Sequence, residues 1–295
     1  MEKFFWLDTD VGPDCDDAAA LAIFLSLAAE GRAIPLEITH CTGDRFGLPT
    51  IDAIQRAFGV SLPLGTCSNA EFLKDASVYT RAIAERFAHN FPENQPQPDA
   101  LCVMRNEFSA VPDGSVTLIG IGPMINLARA LQDCETRELF VKKIDRLVLM
   151  AGCFESDEPK VEWNIEMDVP AARIVLEQFP GRIDFCPFEA AADVLTGVCL
   201  ARYPMNPVSE AYRLFTHGTM LRPSWDLATV AAAILGAIAP FSFSEPGNIS
   251  IDEAGKTRFA PDPVGRMRIL KCSDPKRGAE LLESLLERAI LKMNA

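Results

Sequence analysis

Short apolar runs alternate with helix-forming stretches from residue 4 to about residue 200, and this alternation limits the possible folds more than any other feature of the chain. Phe4-Phe5-Trp6-Leu7 reads as a buried strand ending at Asp8. A loop with Gly12 and Pro13 follows, and Asp16-Asp17 then precede a strongly apolar helical stretch over residues 18–25 that ends near Gly31. The same order recurs as strand 36–41 and helix 51–58, strand 116–121 and helix 124–131, strand 146–151 and helix 171–179, and strand 183–186 and helix 189–195. Strands that alternate with helices form βαβ units, which build an open, mainly parallel sheet covered by helices on both faces. The expected class is therefore α/β. No break in composition marks a linker, so residues 1–295 are expected to form a single domain. Beyond about residue 200 the pattern is more helical. The uncharged run 227–244 contains Thr229, Gly236 and Pro240, and reads as a buried helix followed by a loop, not a membrane span. Residues 249–257 read as a hairpin.

The chain is 48% hydrophobic and 23% charged, which fits a folded globular protein. Acidic residues outnumber basic ones 41 to 28, for a net charge of −13. That balance argues against a nucleic-acid partner, which needs clustered Lys and Arg, and is compatible with a cation site. The nine cysteines are scattered with no C-x-x-C pair, so reduced and mostly buried thiols in a cytoplasmic protein are expected. No signal peptide is expected, because Asp8 and Asp10 interrupt the apolar start.

Sheets of this kind bind ligands beyond the C-terminal ends of their strands. Asp8 and Asp10, Gly43-Asp44-Arg45, Ile121-Gly122-Pro123 and the segment from Gly152 to Asn164 all follow predicted strands, and can converge on one pocket. The run Asp8-Thr9-Asp10-Val11-Gly12-Pro13-Asp14-Cys15-Asp16-Asp17 places five carboxylates in ten residues. Burying like charges without compensation costs several kcal/mol per ion, and a bound cation is the simplest compensation. An all-oxygen donor set selects a hard ion, Ca²⁺ first and Mg²⁺ as competitor, and the lack of His or Cys ligand spacing argues against zinc. Helix capping can account for Asp14, Asp16 or Asp17, but not for Asp8 and Asp10 at a strand end. The run lacks the pattern of an EF-hand loop.

The cluster resembles the N-terminal D-x-D-P-G-x-D-D signature of the calcium-dependent, inosine–uridine-preferring nucleoside hydrolases. Three further segments are similar to that family in the same order. These are Ile121-Gly122-Pro123-Met124-Ile125-Asn126-Leu127-Ala128, then Val148 to Gly152 with Val161-Glu162-Trp163-Asn164-Ile165 and Asp168-Val169-Pro170-Ala171-Ala172, and finally Arg222-Pro223-Ser224-Trp225-Asp226-Leu227-Ala228-Thr229-Val230. The resemblance covers about residues 1 to 270. It implies cleavage of the N-glycosidic bond of a ribonucleoside or related riboside by Ca²⁺-bound water. Asp10 would be the catalytic base and a metal ligand, with Asp17, Asp226 and the Ile121 carbonyl completing the protein ligands. Asp16 would accept from a ribose hydroxyl, and Glu162 and Asn164 would hold the 3′ and 5′ side of the sugar. It also implies a small-molecule riboside as substrate and self-association as a dimer or tetramer. Glycosidic cleavage passes through an oxocarbenium-like state, which surrounding carboxylates stabilise.

Several positions depart from the family pattern. Two extra residues separate Gly12 from Asp16-Asp17, which leaves the ribose contact open between Asp14 and Asp16. Val11 replaces the family's Pro. The late His-Asp pair is Trp225-Asp226, so the histidine that can protonate a leaving base is absent, and Trp225 is equally suited to stacking on a base or to the core. Only His40, His89 and His217 exist, and His217 reads as a surface helix residue. Glu162 and Asn164 alternate with Val161, Trp163 and Ile165, and have a second reading as the exposed side of a strand. Glu155, Asp157 and Glu158 read as a solvated loop, and Cys15, crowded by carboxylates, is given no catalytic role. Two other functions compete with riboside hydrolysis. One is a non-catalytic ribose- or nucleoside-binding protein that keeps the Ca²⁺ site. The other is an aspartyl phosphotransferase, against which stands the absence of D-G-T after Asp8-x-Asp10.

Overall fold

A computed structural model of the chain describes residues 2–92, 95–154 and 160–293. Its strands are β1 (Phe4–Thr9), β2 (Ile34–His40), β3 (Leu64–Thr66), β4 (Val116–Gly120), β5 (Ile144–Met150), β6 (Arg182–Cys186), β7 (Leu195–Thr196), β8 (Arg222–Pro223), β9 (Phe241–Phe243), β10 (Gly247–Ile251), β11 (Thr257–Pro261) and β12 (Met267–Cys272). The main sheet runs β11-β10-β12-β6-β5-β4-β1-β2-β3, and every neighbouring pair from β12 to β3 is parallel. Strands β9, β10 and β11 form an antiparallel edge around β12, and β7 pairs only with β8. The chain leaves β1 for β2 and β3 on one side, then returns to β4 on the other. The C-terminal ends of β1 and β4 therefore flank the point where the winding reverses, which is where a ligand crevice opens in such sheets.

The helices are α1 (Asp16–Ala29), α2 (Gly47–Ala57), α3 (Thr80–Arg86), α4 (Ala100–Phe108), α5 (Ile125–Gln132), α6 (Arg137–Lys143), α7 (Trp163–Met167), α8 (Val169–Gln178), α9 (Phe188–Ala191), α10 (Pro207–Phe215), α11 (Trp225–Leu235) and α12 (Pro275–Met293). Helix α1 is apolar all round and buried from Asp16 to Leu27, as a helix without a polar face must be. It packs against α2, α10, α11 and α12. Its many alanines allow that close approach, and the placement fixes its N-terminus at the crevice. Alternate residues of β1 feed the two faces of the sheet. Phe5 and Leu7 join one core, and Trp6 joins the other. Trp6 packs edge-on against Phe108 and Phe140, with centroids 5.6 and 6.1 Å apart, and its Nε1 donates to Thr39 Oγ1 at 2.6 Å.

The α/β architecture expected from the alternation is present, and the hairpin at 249–257 is the β10–β11 pair. Some boundaries differ. The helix expected at 189–195 stops at Ala191, because the chain turns to pair Leu195 and Thr196 with Pro223 and Arg222; tertiary pairing overrides the local propensity. The buried helix of the 227–244 run ends at Leu235, and β9 takes the place of the expected loop. Strand β12 escaped notice because Arg268 and Lys271 interrupt its apolar pattern. Arg268 is matched by Asp184, with Nε–Oδ1 at 2.9 Å and Nη2–Oδ2 at 3.0 Å. The three-residue β3 is too short for a periodic signal. Six of the nine cysteines are buried and all are free.

Candidate active site

A cavity of about 490 Å³ opens over the C-terminal ends of the central strands. Asp10, Asp14, Asp16, Asp17, Ile121, Glu162, Asn164, Trp225 and Asp226 all line it, so the residues singled out from four separate sequence segments come together in one place. Strand β1 delivers Asp10, β4 delivers Ile121, and the connection after β5 delivers Glu162 and Asn164. The N-termini of α1 and α11 deliver Asp16, Asp17 and Asp226. The positive ends of two helix dipoles are thus directed at the acidic cluster and offset part of its repulsion.

Carboxylate oxygens of Asp16, Asp17 and Asp226 lie within 4.8 Å of one another, and all three residues are buried. Asp10, also buried, shares a hydrogen bond with Asp17. Thr9 Oγ1 donates to Asp17 Oδ1 at 2.5 Å, and the Asp226 backbone N–H donates to Asp16 Oδ2 at 3.1 Å. None of these side chains caps α1. The segment after β4 closes on Asp10 from below. A Cβ on Gly122 would stand 2.8 Å from Asp10 Oδ1 and 2.7 Å from Cys41 Sγ, so a larger residue there would displace the carboxylate. Burial is the main cause that raises the Asp10 carboxyl, to about 8. Burial likewise raises Asp16, Asp17 and Asp226, and their mutual charges add to it. Four buried carboxylates that resist ionisation in the bare protein, beside the Ile121 segment, form an all-oxygen donor set that fits a hard divalent cation.

The first aspartate of the D-x-D pair has another task. Asp8 does not line the cavity. It accepts from Thr39 Oγ1 and from Asn126 Nδ2, the latter at 2.9 Å, and Asn126 Nδ2 also reaches the His40 carbonyl at 3.1 Å. Asn126, to which the sequence reading gave no role, therefore ties β1, β2 and α5 together beneath Asp10. Asp14 is also accounted for: Arg222 Nε donates to both of its oxygens at 3.0 Å and Nη2 adds a further bond. The exposed-strand reading of Glu162 and Asn164 is overturned. Both are buried, and Glu162 is the N-cap of α7, its carboxylate accepting from the N–H groups of Asn164, Ile165 and Gly152 at 2.8, 3.3 and 3.2 Å. Burial lifts its carboxyl to about 7 in spite of those bonds. Asn164 Nδ2 is anchored to the Met150 carbonyl at 3.0 Å. Removing this cap by Glu162→Ala is expected to cost about 1–2 kcal/mol in urea unfolding, with a smaller loss for Glu162→Gln.

On another side of the cavity, Phe188 and Trp225 stack with centroids 5.3 Å apart and 29° between their planes, and Trp225 Nε1 donates to the Phe188 carbonyl at 2.8 Å. Trp225 therefore belongs to the cavity wall. Phe188 was missed in the sequence, since a lone aromatic after a strand carries no periodic signal. Among the described residues, no histidine lines the cavity. His40 is buried against Gly47 and the Val11 carbonyl, His89 lines a separate pocket, and His217 is exposed in the turn after α10. The Gly43-Asp44-Arg45 segment, expected to converge on the same pocket, lines a different one of about 560 Å³. Asp44 is held there by Thr80 Oγ1 at 2.6 Å and the Phe46 N–H at 2.9 Å. Cys15 is buried, and burial followed by the charges of Asp14 and Asp16 raises its thiol, consistent with an inert role. Glu155, Asp157 and Glu158 lie outside the described residues.

Residues 5–260 match the sequence pattern described as inosine-uridine preferring nucleoside hydrolase. The chain belongs to that family. Non-specific ribonucleoside hydrolase RihC of Escherichia coli O1:K1 / APEC is 29% identical to it over 186 residues, which cover 59% of this chain and 58% of that relative. The chain thus spans less than two thirds of the length of the curated relatives it matches most broadly. Among solved structures, the inosine-uridine preferring nucleoside hydrolase from Bacillus anthracis superposes with a TM-score of 0.72 at 18% identity, covering 98% of this chain and 100% of that one. The purine-preferring ribonucleoside hydrolase from Gardnerella vaginalis gives 0.72 at 18% identity, covering 99% and 100%. At such identities these likenesses establish the common nucleoside hydrolase fold. Among the described residues, no helix is long and apolar enough to cross a membrane.

Proposed function

We propose that this nucleoside hydrolase family member cleaves the N-glycosidic bond of a ribonucleoside or related riboside, with Ca²⁺ held by Asp10, Asp17, Asp226 and the Ile121 carbonyl. The observation that carries the reading is the buried carboxylate crowd at the winding reversal, facing one cavity with Glu162 and Asn164. When bound, Ca²⁺ supplies the missing counter-charge, a seat for vicinal sugar hydroxyls and a more acidic water. Asp10 accepts the proton of the attacking water as general base. Asp16 accepts from a ribose hydroxyl; Asp14 is tied to Arg222, which favours Asp16 for this contact. Glu162 and Asn164, both fixed by backbone partners, hold the far side of the ribose, and the carboxylates around the sugar stabilise its developing positive charge. Phe188 and Trp225 flank the leaving group.

Reducing-sugar release from a panel of purine and pyrimidine nucleosides, with Ca²⁺ and with chelator, tests this reading. Turnover that vanishes on chelation and returns with Ca²⁺ is expected. Zero turnover on every nucleoside with calcium bound would refute it. Tight nucleoside binding in calorimetry without product would instead establish a binding protein.

A further inference from the structure

We propose that Arg222 is a catalytic residue that takes up the negative charge of the departing aglycone. The preferred substrates are then ribosides whose nucleobase can leave as an anion, with a carbonyl conjugated to the glycosidic nitrogen. The inference rests on the riboside-hydrolase reading and adds to it the class of leaving group.

Cleavage of the C1′–N bond leaves its electron pair on the nucleobase. Either an acid protonates the base as it departs, or a fixed cation stabilises the anion until a proton arrives. No histidine lines the cavity among the described residues, and its cationic side chains there are Lys160 and Arg222. A guanidinium stays protonated at any working pH, so it acts as a charge and a hydrogen-bond donor, not as an acid.

Arg222 is held as such a group should be. Nε and Nη2 are engaged by Asp14, and among the described residues no protein acceptor is seen for Nη1. The guanidinium carbon sits 5.1 Å from the Phe215 ring centroid and 5.3 Å from that of Trp225, so rings on two helices set its position. Trp225 in turn is locked by Phe188 and directly precedes Asp226 of the acidic cluster. This places the charge on the aromatic side of the cavity, next to the carboxylates. The balance of the reaction closes within the site. The water oxygen bonds to C1′, its proton passes to Asp10, the C1′–N electron pair departs with the base beside Arg222, and the proton on Asp10 is released to the basic nitrogen. The competing role, in which Arg222 only neutralises Asp14 and braces its loop, would not depend on what the leaving group is.

The test compares kcat/KM of the Ca²⁺-loaded wild type, Arg222→Gln and Arg222→Lys on uridine, inosine and 4-nitrophenyl β-D-ribofuranoside, whose phenolate departs without help. Arg222→Gln is expected to lose about 10²–10³-fold on the nucleosides and less than about 5-fold on the nitrophenyl riboside, with Arg222→Lys in between. Equal losses on all three substrates, or no loss on the nucleosides, would overturn the proposal. So would a wild type that cleaves the nitrophenyl riboside but neither nucleoside. A wild type that cleaves none of the three removes the hydrolase reading itself, and this inference with it. Should Arg222→Gln fail to fold in a thermal melt, the same ratio is read from Arg222→Lys, for which a tenfold or larger nucleoside-selective loss supports the role and an unchanged ratio overturns it.

Discussion

Asp10→Asn is expected to fold normally and to lose about 10²–10⁴-fold in kcat for riboside hydrolysis, the usual contribution of a general base. The substitution isolates the proton-accepting role, because asparagine matches the shape of aspartate. Shape matters at this site: Gly122 and Cys41 close around Asp10 so tightly that even a methyl group on Gly122 would collide with it. The amide can keep a hydrogen bond to Asp17 by donating, so the cluster keeps its geometry while it loses one charge. Affinity for Ca²⁺ should fall as well, which calls for calcium at saturation in the assay and a calorimetric titration beside it. With the metal site filled, kcat should carry the loss and KM should move little, since the sugar is held mainly by Asp16, Glu162 and Asn164. A drop smaller than about tenfold under those conditions would take the general-base role away from Asp10.

Much of this site can be read from the sequence, because strand ends in a parallel sheet are forced to one edge of the molecule. Once the alternation is recognised, the residues directly after β1, β4 and β5 must face a common crevice, and Asp10 and Ile121 do so, joined by Glu162 and Asn164 from the connection after β5. Two kinds of information were not local enough to read. One is what supports the site from beneath: Asn126 reaches Asp8 across 118 positions, and nothing in the spacing of either residue signals the pair. The other is what happens in loops. The extra residues after Gly12 leave Asp14 and Asp16 indistinguishable in sequence, and the ion pair between Asp14 and Arg222, 208 positions apart, is a difference that no local pattern signals. Glu162 was ambiguous for a related reason. The alternation of Val161 to Ile165 fits a strand, and the helix that forms instead depends on a cap closed by a side chain and a backbone turn together. The Gly43 to Phe46 loop shows the limit of the strand-end rule, because it follows β2 yet faces a neighbouring cavity.

Stripped of metal by chelation and dialysis, the protein should lose thermal stability as pH rises from about 5 to about 8, and Ca²⁺ should reverse the trend. The direction follows from the buried acids. Asp10 moves from the ordinary aspartate value of 3.8 to about 8, Asp8 from 3.8 to about 7 and Glu162 from 4.5 to about 7, while Asp16, Asp17 and Asp226 are also raised. Burial is the largest cause in each case. A group whose carboxyl is raised on folding binds its proton more tightly in the native state. Its contribution is therefore fully present below the unfolded value, and is lost as pH climbs through the native one. Buried His40, lowered by burial, pulls the other way below about pH 6.5, but it is a single group against this set. Bound Ca²⁺ takes the place of the protons. At 100 times its dissociation constant it adds about 2.7 kcal/mol, or roughly 4 °C in Tm for a chain of this size, and at a fixed calcium concentration the gain should be larger at pH 8 than at pH 5. Calorimetric melts at pH 5, 6, 7 and 8, with chelated and calcium-loaded samples side by side, read both effects. A chelated protein whose Tm stays level or climbs over this range, or a Tm indifferent to calcium at pH 8, would mean that the four aspartates are satisfied by the protein alone and that no cation is needed to hold them together.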